Sequence, residues 1–165
     1  YNANYSLTEQ HYRKKAEPMT TSARIMTLTP AVPCEYYRWD DDLHIFCFSI
    51  PSRAAVDSWL SQLSTIYAQN TLHTPVTQLL DIRQSGMLPM TYVFNQLQTW
   101  IPRHQGNPTL YTAVLHNDPA TVAIVQPFMR MLGVERDYKF RFFGGHAQEN
   151  AIDWLLSQRV AVKVG

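Results

Sequence analysis

One stretch constrains this chain more than any other: Val76-Thr77-Gln78-Leu79-Leu80-Asp81-Ile82-Arg83-Gln84-Ser85-Gly86-Met87-Leu88-Pro89. Its apolar run, broken once by Asp81, lies between Pro75 and a loop marked by Gly86 and Pro89. That pattern predicts a buried central strand running through a loop into a helix. The segments on either side repeat the same sequence of apolar run, loop and amphipathic stretch.

Upstream, Glu35–Trp39 and Leu43–Ile50 are aromatic and β-branched runs separated by Asp40, Asp41 and Asp42. This predicts a hairpin with the acidic triplet as a solvated turn. Tyr36, Tyr37, Trp39, Phe46 and Phe48 crowd that hairpin. Alternation sends about half of them to each face, so one face is expected to carry aromatics to a partner. Ser52 is placed to cap a first helix, with Val56, Trp59, Leu60, Leu63, Ile66 and Tyr67 facing the sheet.

After Pro89 a second helix is expected from about Thr91, with Val93, Phe94, Leu97, Trp100 and Ile101 inward and Pro102 as its end. Thr109–Leu115 reads as a second buried strand. Asp118 and Pro119 then start a third helix presenting Val122, Val125, Phe128, Met129 and Leu132 to the core, with Gly133 suited to its C-terminal cap. Tyr138–Phe143 alternates aromatic and basic residues, as an outer strand with one wet face does. Gly144 and Gly145 turn into a final helix, Ala147 to about Arg159, that buries Ala151, Ile152, Leu155 and Leu156. The expected fold is therefore α/β: a hairpin-led, mostly parallel sheet of about five strands with four helices and right-handed crossovers.

Composition narrows the function classes. At 165 residues the chain is one α/β domain, 35–160, preceded by an extended N-terminal arm, 1–34. Charged residues are 16% against 45% apolar, so charge is scarce on the surface, as on a surface partly covered by something else. The net charge of +1 gives no electrostatic case for nucleic acid or an anionic membrane. Cys34 and Cys47 form no CxxC pair and have no histidines at metal spacing. They fit a reducing compartment, and with no secretion signal or membrane-spanning run in view the expected location is the cytoplasm. No metal or cofactor is expected.

The arm has no apolar periodicity, and Met19 and Met26 are candidate translation starts. It does hold Tyr1, Tyr5 and Tyr12, which bury large areas at low entropic cost, and the basic cluster Arg13, Lys14 and Lys15. These six residues are expected to bind another protein chain, or a second copy of this one.

Ligands gather beyond the carboxyl ends of parallel strands, where helix N-termini favour anions. Arg83, Ser85, His116, Asn117 and His146 fall at those ends and form a candidate phosphate or carboxylate site. A catalytic pairing of His116 with Asp118 is weakened because Asp118 serves as a helix cap, and the chain has no Gly-x-Ser-x-Gly elbow, P-loop or Gly-x-Gly-x-x-Gly. His44 and His73 read as structural. Asp81, within an apolar run, is expected to organise the loop Arg83–Gly86 by accepting backbone hydrogen bonds.

The hairpin-led order, together with Leu79-Leu80-Asp81-Ile82, resembles the STAS domain of anti-sigma-factor antagonists and their SpoIIAA-like relatives. The likeness spans 35–159 and rests mainly on topology. In the phosphorylated antagonists the loop after this strand ends in a serine motif that a partner kinase modifies. Here Pro89, Met90 and Thr91 stand in its place, and the Thr91 hydroxyl is expected to cap the helix. What the resemblance implies is a non-catalytic protein-interaction or accessory subunit; the alternative is a module sensing a small anion or lipid at the strand ends.

Overall fold

The computed structural model describes residues 32–39, 42–70, 74–104, 108–133 and 137–160. The arm residues Tyr1, Tyr5, Tyr12, Arg13, Lys14 and Lys15, together with His73, Asp40 and Asp41, lie outside them. The elements in order are β1 (Cys34–Trp39), β2 (Leu43–Phe48), α1 (Arg53–Gln69), β3 (Val76–Asp81), α2 (Met90–Arg103), β4 (Leu110–His116), α3 (Ala120–Met131), β5 (Tyr138–Gly144) and α4 (Gln148–Val160). They form one sheet in the order β1-β2-β3-β4-β5, antiparallel between β1 and β2 and parallel thereafter. The expected α/β class, strand number and helix number all hold.

The hairpin pairs Trp39 with Leu43, and Asp42 just before β2 has φ of 58°, a left-handed conformation that Asp tolerates better than most residues. Its carboxylate accepts a hydrogen bond from Arg38 Nε at 2.8 Å, so this member of the triplet is paired rather than merely solvated. β3 is buried at all six positions, as befits a strand covered on both faces, although Thr77, Gln78 and Asp81 among them are polar.

Strand order decides which face each helix takes. From β2 to β5 the sheet advances in one direction, so right-handed crossovers must place α1, α2 and α3 on one side. A core of Phe46, Phe48, Leu80 and Val114 with α1 and α2 forms there. After β5 no further described strand constrains the chain, and α4 covers the opposite face through Ala151, Ile152 and Leu155 against Ile45, Leu79 and Leu115. Because the order never reverses, the sheet has no topological switch point, the usual place for a ligand crevice in such folds.

Helix α1 follows expectation: Ser52 Oγ accepts from Ala55 N at 3.1 Å, and all six predicted core residues are buried, with Ala55 added. Four expectations are corrected. Thr91 does not cap α2: the helix begins at Met90 after Pro89, has no side-chain cap, and Thr91 is exposed. Pro102 does not end α2, which continues to Arg103; the carbonyl at Gln98 deprived of its i+4 donor belongs to an exposed residue and can turn to water. Phe94 and Leu156 are only half-buried.

The fourth correction is the largest. Of α3 only Thr121 is buried, while Val122, Val125, Phe128 and Met129, assigned to the core by spacing, are half-exposed. The start of that helix is as the sequence suggests, with Asp118 Oδ1 accepting from Ala120 N at 2.9 Å and Gly133 at φ 62° beyond its end.

Candidate functional site

Asp81 is the last residue of β3 and faces α4, since alternation puts Leu79 and Asp81 on that side. Its carboxylate is nearly buried and is met by Arg83 two residues on. Arg83 Nε donates to Oδ1 at 2.9 Å and Nη2 to Oδ2 at 2.5 Å, a two-pronged ion pair, and the Arg83 backbone N–H reaches Oδ1 at 3.1 Å. The loop-organising role expected of Asp81 is present in that backbone bond.

The same guanidinium continues past the sheet. Nη1 donates to the Gly145 carbonyl and Nη2 to Gln148 Oε1, both at 2.9 Å. Asn117 Nδ2 donates to the Arg83 carbonyl at 3.2 Å, and the Asn117 side chain occupies the space that a Cβ on Gly145 would take. Arg83 and Asn117 therefore come together, and with Asp81, Gly145 and Gln148 they tie the ends of β3, β4 and β5 to the first residue of α4. The result is a clasp whose cation is surrounded by protein acceptors.

The other three predicted residues are not in this group. Ser85 turns back on its own loop, its hydroxyl donating to the Gly86 carbonyl at 3.1 Å and its N–H to the Phe48 carbonyl at 3.2 Å. His116 is buried on the opposite face of the sheet, edge-on to Phe142 at 6.3 Å, with Nδ1 lacking a hydrogen-bond partner. His146 is exposed. The sheet thus separates Arg83 from His116. Among the described residues no group of three His, Cys, Asp or Glu side chains is arranged to hold a metal.

Two polar features escaped the sequence. Trp59 Nε1 donates to Gln78 Oε1 at 3.1 Å, and Gln78 Nε2 donates to Thr112 Oγ1 at 2.9 Å, all in the α1-side core. Gln78 sits in the middle of the apolar β3 run, and that position is the signal that a buried polar partner must exist. His44, on the same side, pairs Nδ1 with the Tyr36 hydroxyl at 2.9 Å. Burial, aided by the Arg38 cation, pushes its pKa from 6.5 down to about 4. Burial likewise raises the thiols, Cys34 to about 12 and Cys47 upward too, so neither is a nucleophile near neutrality.

The large uncovered apolar surface lies elsewhere. The hairpin leaves Tyr37 as its exposed aromatic, while Trp39 packs against the α4-side core. On α3, the helix that leads to the edge strand β5, Ile124 is 37% and Met131 71% exposed. No protein-family model matches the chain, nor does any curated protein or solved structure. Among the described residues no helix is long and apolar enough to cross a membrane.

Proposed function

We infer that the chain is a non-catalytic protein-interaction module, a STAS-like domain that serves as an accessory subunit of a cytoplasmic assembly. The observation that carries this reading is α3. A helix of sequence ATVAIVQPFMRM, with one charge, buries only Thr121 within its own domain. A helix so apolar leaves water only when something else covers it.

The clasp supports the same reading. An anion sensor at the strand ends would need the Arg83 guanidinium to leave Asp81, Gly145 and Gln148, and it would have to unpair a nearly buried carboxylate to do so. Arg83 is better used holding α4 in place. Among the described residues no catalytic constellation stands beside it: the thiols are raised, His116 and Arg83 face opposite ways, and His44 is engaged with Tyr36.

The test is a photo-crosslinking amino acid placed at Met131 of the full chain in its native cells, with the exposed polar helix position Asp57 as control. The reading expects a discrete protein adduct from position 131 and none from 57. Equal, diffuse labelling from both positions would remove it.

A further inference from the structure

β5 is an edge strand, paired with β4 on one side and with no described strand on the other. Its geometry is ordered at the level of single residues. Leu110 N donates to the Asp137 carbonyl at 2.9 Å, so odd-numbered residues from 137 on turn their backbone toward β4. Tyr138, Phe140 and Phe142 then direct N–H and C=O outward, in position to receive another strand.

Side chains alternate with the same period. Tyr138 and Phe142 pack on the α1–α3 side, Tyr138 edge-on to Trp100 at 6.3 Å, and Phe140 shares their side. Lys139 and Arg141 lie on the α4 side, where the Arg141 guanidinium stacks over Phe143 at 5.2 Å and Trp154 at 6.0 Å. A groove of about 570 Å³ follows this edge, with Met129 and Arg130 of α3 on one flank and Trp154 and Gln158 of α4 on the other. The charged residues of α3 and β5 are Arg130, Lys139 and Arg141, all cationic.

We propose that β5 and the α3 flank receive an extended acidic–apolar peptide segment of a partner protein, added as a sixth strand. The alternation of β5 dictates the alternation of its guest: apolar side chains over Phe140 and Met129, carboxylates toward Arg141. Backbone pairing along the outward edge gives affinity, and the two-sided pattern gives register. A second copy of the chain does not suit the edge, because it would bring the cationic Arg130 and Arg141 face near the same cations of the other copy. This inference rests on the interaction-module reading and names its occupant.

The experiment uses the full chain, isotope-labelled, with synthetic (Glu-Val)4, (Lys-Val)4 and oligo(dT) as probes. Expected are saturable binding of (Glu-Val)4 alone and slowed amide exchange at Phe140 and Phe142. Arg141→Glu is expected to weaken that binding by about tenfold, in a chain that stays folded and whose thermal midpoint falls only by the lost stacking on Phe143 and Trp154. Two further probes leave the protein untouched: (Glu-Val)4 N-methylated at its Glu residues, and the same peptide N-methylated at its Val residues. Strand addition predicts that one of the two fails and the other still binds, because only alternate N–H groups of the guest face β5. Equal binding of (Lys-Val)4, oligo(dT) binding with the same shifts, retention of both N-methylated peptides, or no binding by (Glu-Val)4 each overturns the proposal. None of these removes the module reading, which stands or falls on the Met131 adduct.

Discussion

Helices α1 and α3 cover the same face of one sheet and are both rich in apolar residues, yet the domain treats them differently. α1 buries seven side chains, among them Trp59, Leu63 and Tyr67, and turns Arg53, Asp57 and Ser61 to water. α3 buries Thr121 and leaves its aliphatic and aromatic residues half in solvent, with Phe128 touching Phe94 at 5.5 Å. Position explains the difference. α1 crosses from β2 to β3 in the middle of the sheet, where strands lie beneath both of its flanks, whereas α3 returns to β5, beyond which no described strand supports it. Apolar content therefore tells how much surface a helix offers, and the sheet decides how much of it is taken up.

The sharpest way to break the contrast is to remove a side chain from α1. Trp59→Ala deletes a 4% exposed indole and strands the Gln78 carbonyl oxygen, and is expected to cost about 4 kcal/mol in chemical denaturation. A cost near that of a surface substitution would mean that α1 is not the anchor described.

Arg83→Ala comes next. It leaves the Asp81 carboxylate, 11% exposed as a side chain, without its cation, and detaches the N-terminus of α4 from β3. The expected loss is about 3 kcal/mol, and Asp81→Asn added to it should restore part of that loss, since an uncompensated charge is then gone. Strict additivity of the two variants would show that they do not form one clasp.

The α1-side core also sets a pH dependence. His44 has a folded pKa of about 4 against 6.5, so its neutral form is the one the fold accepts. Its contribution is complete above pH 6.5 and is lost as pH falls toward 4, where the unfolded chain binds a proton that the folded chain refuses. The loss amounts to roughly 3 kcal/mol. Unfolding free energies measured across that window should fall, and should fall less in His44→Gln. An identical slope in the variant would assign the effect to another group.

The contrast between the two helices is also the limit of what spacing can reveal. The 3.6-residue period of Val56, Trp59, Leu60 and Leu63 predicted burial, because a helix over a central strand has no other face to offer. The same period in Val122, Val125 and Met129 predicted burial as well, and there it overreached: periodicity marks an apolar face without saying whether the neighbour exists. Alternation in Tyr138–Phe143 correctly implied an outer strand, and it is that edge position which leaves α3 uncovered. At the strand ends, residue type and topology brought Arg83 and Asn117 to one place. They could not show that Arg83 would be enclosed by Asp81, Gly145 and Gln148, since Gly145 and Gln148 lie more than sixty positions away along the chain. Thr91 fell short for a simpler reason. Pro89, with φ at −67°, takes the N-cap position two residues earlier than a threonine cap requires, and the helix starts at Met90.

The smallest effect belongs to α3. Met131→Ser should change the stability of the isolated chain by less than about 0.5 kcal/mol, because Met131 stays 71% exposed, and Ile124→Ser, at a residue 37% exposed, by no more than about 1 kcal/mol. A loss of more than about 1 kcal/mol for either would place that residue in a core of its own.

Native-state amide exchange on the isolated full chain tests the central contrast most directly. If α3 is held only by buried Thr121, the partly buried Met129 on the core and its contact with α2, its amides should exchange through local opening while those of α1 exchange only on global unfolding. The account predicts that the opening free energy of α3 falls well below that of α1 and responds weakly to denaturant. Equal protection of the two helices, with the same denaturant dependence, would contradict it.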